Sequence, residues 1–129
     1  MTLLQLLKQQ GKALVIKGAQ GSGKTLLATQ LAKAEGVYSN DHIEQVFGKN
    51  TFNHWLNELP DVVIVEGAPK PKHIDVIKSM IANDKITHNR KGKEPVEVKT
   101  PMFVFCTSDP ELLNFGAQDR RFYVLELDA

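Results

Sequence analysis

The stretch Gly18-Ala19-Gln20-Gly21-Ser22-Gly23-Lys24-Thr25 constrains this chain more than any other feature, because G-x-x-x-x-G-K-[ST] is meaningful only in one structural setting. Glycines let the backbone curl so that successive N–H groups face one concavity. Such a loop follows a strand and opens a helix, whose N-terminus adds a favourable field for anions. Both flanks comply. Ala13-Leu14-Val15-Ile16 is a short apolar run that predicts a buried strand. Residues 25–34 predict a helix with Leu27, Ala28, Leu31 and Ala32 on one face and Gly36 as a stop. Lys24 is long enough to reach the terminal phosphates of a nucleoside triphosphate, and the Thr25 hydroxyl can ligate magnesium. ATP with Mg²⁺ is therefore the first ligand to expect.

The strongest strand signal is Val62-Val63-Ile64-Val65, an unbroken β-branched run of the kind covered on both faces in a parallel sheet. It ends in Glu66, the only carboxylate there, since Gly67 and Ala68 follow. An acid so placed meets magnesium or its water, and Glu66 has to cover the metal role, the water-orienting role, or both. Asp61 precedes the strand and belongs at the opposite end of the sheet.

Weaker elements complete the pattern. Residues 37–38 predict a short strand, and 41–59 a helix in two pieces broken near Gly48. Asn50 or Thr51 would cap the second piece, with Phe52, Trp55, Leu56 and Leu59 as its apolar stripe, ended by Pro60. Residues 72–83 predict a helix burying Ile74, Ile77, Met80 and Ile81. Residues 85–100 read as a hairpin with its tip at Asn89-Arg90-Lys91-Gly92; 102–106 and 122–127 read as further strands. The expected fold is α/β, three-layered, with a five-stranded mostly parallel sheet and the hairpin inserted between the helix at 72–83 and the strand at 102–106. Ligands in such sheets collect at the carboxyl ends of strands, so Gly18, Glu66 and Thr107 should converge on one edge.

A chain of 129 residues allows one domain, here 1–129. One cysteine, Cys106, rules out a disulfide framework and a cysteine-based zinc site, and it reads as packing in an apolar strand. Lys8, Gln9 and Gln10 follow the leucines at 3–7, the reverse of a secretory signal, and no apolar run reaches the length of a membrane span. A cytoplasmic location is the expectation. Net charge is +1, so any pull toward nucleic acid is local: 85–99 carries Lys85, Arg90, Lys91, Lys93 and Lys99 against Glu94 and Glu97. Lys70 and Lys72 face phosphate, nucleic acid or plain solvent. His42, His54 and His73 stand apart from any metal-ligand spacing.

Taken in order, the phosphate loop, the strand ending at Glu66, the helix running into a basic hairpin, the strand into Cys106-Thr107-Ser108-Asp109, and Gln118-Asp119-Arg120-Arg121-Phe122 resemble superfamily 3 helicases. These are AAA+ P-loop ATPases of small DNA viruses, phages and mobile elements. The resemblance runs from Leu6 to Leu127. It implies a P-loop ATPase module that acts on single-stranded DNA, or RNA, as a homo-oligomeric ring, a hexamer in that family. Arg90, Lys91 and Lys93, with His88 beside them, would grip the strand backbone, as phosphate contacts require cations. Ser108 or Asp109 would stand where the family has a sensor asparagine, and Thr107 or Ser108 would take over its contact. Arg121, or its neighbour Arg120, would be the finger that reaches the nucleotide of the adjacent subunit. The chain begins close to the ATPase core, which implies a minimal module, a partner of a separate initiator, or a nucleotide-dependent switch. Two other readings stay open at this stage: a small-molecule P-loop kinase, for whose arginine-bearing lid the 85–99 segment could be mistaken, and a nucleotide-binding interaction protein with weak hydrolysis, in keeping with the single acid.

Overall fold

The computed structural model describes residues 1–48, 53–108 and 121–127. In chain order the elements are α1 (Leu3–Gln9), β1 (Ala13–Lys17), α2 (Lys24–Lys33), β2 (Tyr38–His42), α3 (Ile43–Phe47), a 3-10 turn (His54–Leu56), β3 (Val62–Glu66), α4 (Pro71–Ala82), β4 (Lys85–His88), β5 (Val96–Lys99), β6 (Met102–Thr107) and β7 (Phe122–Glu126). Five strands pair in the order β2-β3-β6-β1-β7, and each pairing is parallel. All five carboxyl ends therefore lie along one edge, as expected for an α/β sheet of this kind. Among the described residues no helix is long and apolar enough to cross a membrane.

Side-chain alternation along the central strands fills both faces. Leu14, Ile16, Val62, Ile64, Val104 and Cys106 meet Leu4 and Leu7 of α1 and Ala28 and Ala32 of α2. On the other side Val15, Val63, Val65, Phe103 and Phe105 meet Ile43, Val46 and Phe47 of α3, Ile77 of α4, and Trp55 and Leu56. Phe103 is the hub of that side, with Phe47 at 5.5 Å and the edge of Trp55 at 5.9 Å between ring centroids. β6 is buried along its whole length, which a strand with neighbours on both edges and helices on both faces must be.

Two departures from the sequence reading matter. Asp41 and His42 are not helical: β2 runs through them because they pair with Val65 and Glu66 of β3, and ladder bonds to a buried partner outweigh the weak helix preference of both residues. The helix that follows has only five residues, and the second helical piece is reduced in the described part to the turn at His54–Leu56. The proposed caps Asn50 and Thr51, and Phe52, lie outside the described residues. α4 opens on Pro71, whose fixed φ suits the first helical position. Of its four expected core residues Ile77 is fully buried and Ile74, Met80 and Ile81 partly so, while His73 is buried completely.

The hairpin forms its own antiparallel pair, with Ile86 opposite Val98 and Thr87 opposite Glu97. Ile86 and Val98 reach the core, but hydrogen bonds do most of the fastening. The Asn53 amide donates to the Thr87 carbonyl (2.9 Å), and its oxygen accepts the Asn89 N–H (2.7 Å), so one side chain acts as a third strand at this point. At the base, the Thr100 hydroxyl donates to the Asn83 carbonyl (2.7 Å), and Lys8 Nζ donates to the Thr100 carbonyl (2.8 Å). Burial lowers the Lys8 pKa, with help from Lys99 and against the pull of Asp84.

Candidate functional site

β1 delivers the chain to Gly18, where a Cβ would stand 2.5 Å from Ser22 Oγ and 3.3 Å from the Leu127 carbonyl; the loop closes only around glycine. Gly21 (φ 83°) and Gly23 (φ 91°) take the left-handed conformation that the curl requires. Gly23 also caps α2 without a side chain, which leaves first-turn N–H donors of a ten-residue helix for a ligand. Lys24 Nζ is folded back over its own loop, donating to the carbonyls of Gly18 (2.7 Å) and Ala19 (2.8 Å). Its charge is thereby held at the loop, among groups that anionic oxygens would meet.

Parallel pairing then brings in the second element. β3 ends one strand away from β6 and two from β1, and the Thr25 hydroxyl donates to Glu66 Oε1 at 2.6 Å across 41 residues of sequence. Both border a cleft of about 650 Å³, together with Gln20, Gly21, Gly23, Lys24, Thr107 and Ser108. A hydroxyl and a carboxylate oxygen in contact, beside an ammonium and a glycine cradle, form a donor set suited to a hard cation and the phosphates it accompanies. Ser22 Oγ is buried with no partner in the protein, a further polar atom available in the cradle. Thr107 is buried at the end of β6, whereas Ser108 is exposed on the cleft wall. Asp109 lies outside the described residues.

Cys106 sits in the floor of the cleft, in register with Glu66 on one side and Ile16 on the other. Burial pushes its thiol up to about 12, the Glu66 charge adds to that, and Lys24 opposes it. The thiol is thus a neutral packing group, and it feels the field of the acid that serves the cleft.

Lys70 and Lys72, left open by the sequence, turn to Glu44 instead of the cleft, at 3.5 and 3.1 Å. Both lysine side chains are more than half exposed, so the bridges add little stability. The Lys72 hydrogen bond holds the Glu44 carboxyl below the usual range, with burial opposing and the charges of Lys72, His73 and Lys70 assisting. His73 Nδ1 accepts the Lys70 N–H (3.1 Å), and Nε2 is 3.3 Å from Glu44 Oε1, at ion-pair distance but outside hydrogen-bond geometry.

Two predicted residue sets stand away from this cleft. Arg121 is exposed at the start of β7, where its carbonyl accepts the Ala13 N–H (2.8 Å), so it belongs to the amino edge of the sheet. About 16 Å of β1 separates that edge from the phosphate loop, and the fold does not bring Arg121 together with Lys24 and Glu66 within one chain. Arg120 lies outside the described residues. On the hairpin, Arg90, Lys91 and Lys93 border a second cleft of about 500 Å³. Lys91 and Lys93 are exposed; Arg90 is half-buried, its Nη2 donating to the Glu94 carbonyl (2.8 Å). His88 lines the same cleft, but its strand position points it inward: it is 4% exposed, with Nε2 3.0 Å from Asn57 Oδ1.

The sequence reading gave no role to Gly67, which borders the cleft beside Glu66, or to Asn53 behind the hairpin. A glycine directly after the strand-ending acid was the one available signal.

Residues 16–121 match the family described as "Family of unknown function (DUF5906)". No curated protein matches. Among solved structures, an apo A form of the NrS-1 C-terminal region superimposes with a TM-score of 0.74 and 27% identity over 92% of this chain. An apo structure of NrS-1 residues 305–718 gives 0.74 and 25% over 96%. The chain spans about a third of those chains, 29% and 33% respectively.

Proposed function

The chain belongs to the DUF5906 family, and from the cleft it carries we propose that it is a P-loop NTPase of AAA+ type that binds and hydrolyses ATP with Mg²⁺, a superfamily 3-like module working on single-stranded nucleic acid. The observation that supports this best is the 2.6 Å bond between Thr25 and Glu66 beside Lys24, because it unites the two predicted halves of a metal-phosphate site. Loop N–H groups and the α2 N-terminus would hold the phosphates. Lys24 would exchange its two loop carbonyls for phosphate oxygens. Thr25 and Glu66 would hold the magnesium ion, which when bound neutralises charge on the phosphate oxygens. Glu66 would also orient the attacking water, with Ser108 on the far wall toward the terminal phosphate. Arg121, at the amino edge, fits a finger offered to a neighbouring copy in a ring. Arg90, Lys91 and Lys93 supply cations for a strand backbone.

The single acid at the end of β3 favours one second reading, a nucleotide-dependent interaction protein with weak turnover. Against reading the hairpin as a kinase lid, among the described residues no hairpin residue lines the phosphate cleft, and the hairpin is fastened at Asn53 and Asn57. ATP turnover measured with and without single-stranded DNA, alongside oligomer size, separates these. A ring with DNA-stimulated hydrolysis, lost in Lys24→Ala together with nucleotide binding, is expected. A monomer without stimulation returns the kinase, and binding without turnover the switch.

A further inference from the structure

Leu59 departs from the place that its spacing predicts. Trp55 and Leu56 enter the core, whereas Leu59 is 60% exposed. Its backbone is left-handed, at φ 48°, and among the described residues it is the only non-glycine so placed. The Cβ of a leucine crowds the backbone there, and an exposed side chain gains no burial to offset that. Two neighbours hold it in place. The Leu59 N–H donates to the Leu56 carbonyl (2.9 Å), which closes the turn, and the buried Pro60 follows directly. The fold therefore holds an apolar side chain out over the cleft that Arg90, Lys91 and Lys93 border.

Val96 and Val98 continue that apolar wall, Val96 itself 38% exposed. The cleft, about 500 Å³, is of a size that takes a small planar ligand. Arg90 leaves a donor unmatched at its border: Nη2 is engaged by the Glu94 carbonyl, while the buried Nε has no hydrogen-bond partner. Lys91 and Lys93 by themselves ask only for an anion. An open apolar wall beside them asks for a ligand that joins negative charge to flat apolar faces, and a nucleotide within a single strand does so. An acidic peptide brings the charge without the faces. We propose that this cleft is a nucleobase subsite. One base of the bound strand leaves the backbone track and lies against Leu59, Val96 and Val98, while Lys91 and Lys93 hold flanking phosphates. The subsite rests on the single-strand reading above and adds the base to it.

Two strands of equal charge separate base from backbone: a thymidine oligonucleotide and one of the same length built of abasic residues. Binding of each to the full chain is followed by fluorescence anisotropy. Leu59→Gly removes the side chain, and glycine adopts the left-handed backbone freely, so this variant is expected to melt with the wild type. The wild type is expected to bind the thymidine strand about fivefold or more tightly than the abasic one. Leu59→Gly is expected to bind both strands with the wild type's abasic affinity. Equal affinities in the wild type, or a preference undiminished in Leu59→Gly, overturn the subsite and leave the backbone grip standing. The wild-type comparison decides whatever the stability of the variant. Polyglutamate that competes as well as unlabelled thymidine strand also overturns the subsite, in favour of an acidic partner. A wild type that binds neither strand overturns the single-strand reading and this inference with it.

Discussion

The glycine-loop cleft and the basic hairpin are built on opposite principles. The cleft is made where β1, β3 and β6 end, and the residues behind it, Ile16, Val65 and Phe105, are essentially inaccessible to solvent. Its polar atoms are placed by backbone geometry: left-handed glycines, a helix terminus that carries Thr25, and a strand end that carries Glu66 to it. The hairpin instead has two four-residue strands whose cations ride on exposed side chains, tied down by Asn53, Asn57 and Thr100. A two-stranded ribbon is marginal by itself, so those few bonds set its position. Pre-organised donors suit a ligand of fixed geometry such as a triphosphate. Exposed cations such as Lys91 and Lys93 on a lightly tethered ribbon suit a backbone of repeating charge and no fixed sequence.

The sharpest way to break this comparison is to show that neither region is sufficient without a third. Arg121→Ala, at the amino edge, should lower hydrolysis by about 10³-fold or more, with nucleotide affinity and assembly unchanged. Full turnover in that variant would remove the finger and leave the cleft self-contained. A smaller effect tests the separation directly. Joint Lys91→Glu and Lys93→Glu substitution should weaken single-strand binding by about tenfold or more and flatten its salt dependence, while analogue binding in the cleft stays as in the wild type. Unchanged affinity in a fluorescence titration would reduce the hairpin to a solvated ribbon. The smallest effect sharpens the account of the cleft floor. The Cys106 pKa is raised from 9.0 to about 12 in the fold, so its contribution to stability is complete below about pH 9 and is lost as pH climbs toward about 12. Urea unfolding should therefore show Cys106→Ala gaining on the wild type by about 1 kcal/mol between pH 8 and pH 10. A constant difference would mean that the thiol is not desolvated.

Much of this was legible in advance because the informative signals were local. The phosphate loop, the run from Val62 to Glu66 and the helix over α4 are each written within a dozen residues, where glycine placement and apolar periodicity leave few alternatives. Signals failed where a neighbour in space decided. Asp41 and His42 fall within the segment read as helical, but pairing with Val65 and Glu66 makes them strand. The pairing of His88 with Asn57, in the wall of the cleft that Arg90, Lys91 and Lys93 also line, could not be read from sequence spacing. Lys70 and Lys72 were left open between phosphate, nucleic acid and solvent, and they stand largely exposed beside Glu44.

The sequence by itself therefore determined the loop, the strands around it and the α/β class, because backbone conformation answers to nearby residues. Only the tertiary structure decided that Thr25 touches Glu66 and that Arg121 stands at the far edge from both. Those relations depend on strand order and register. Both are set by how two apolar faces are buried together, a property that no single segment carries.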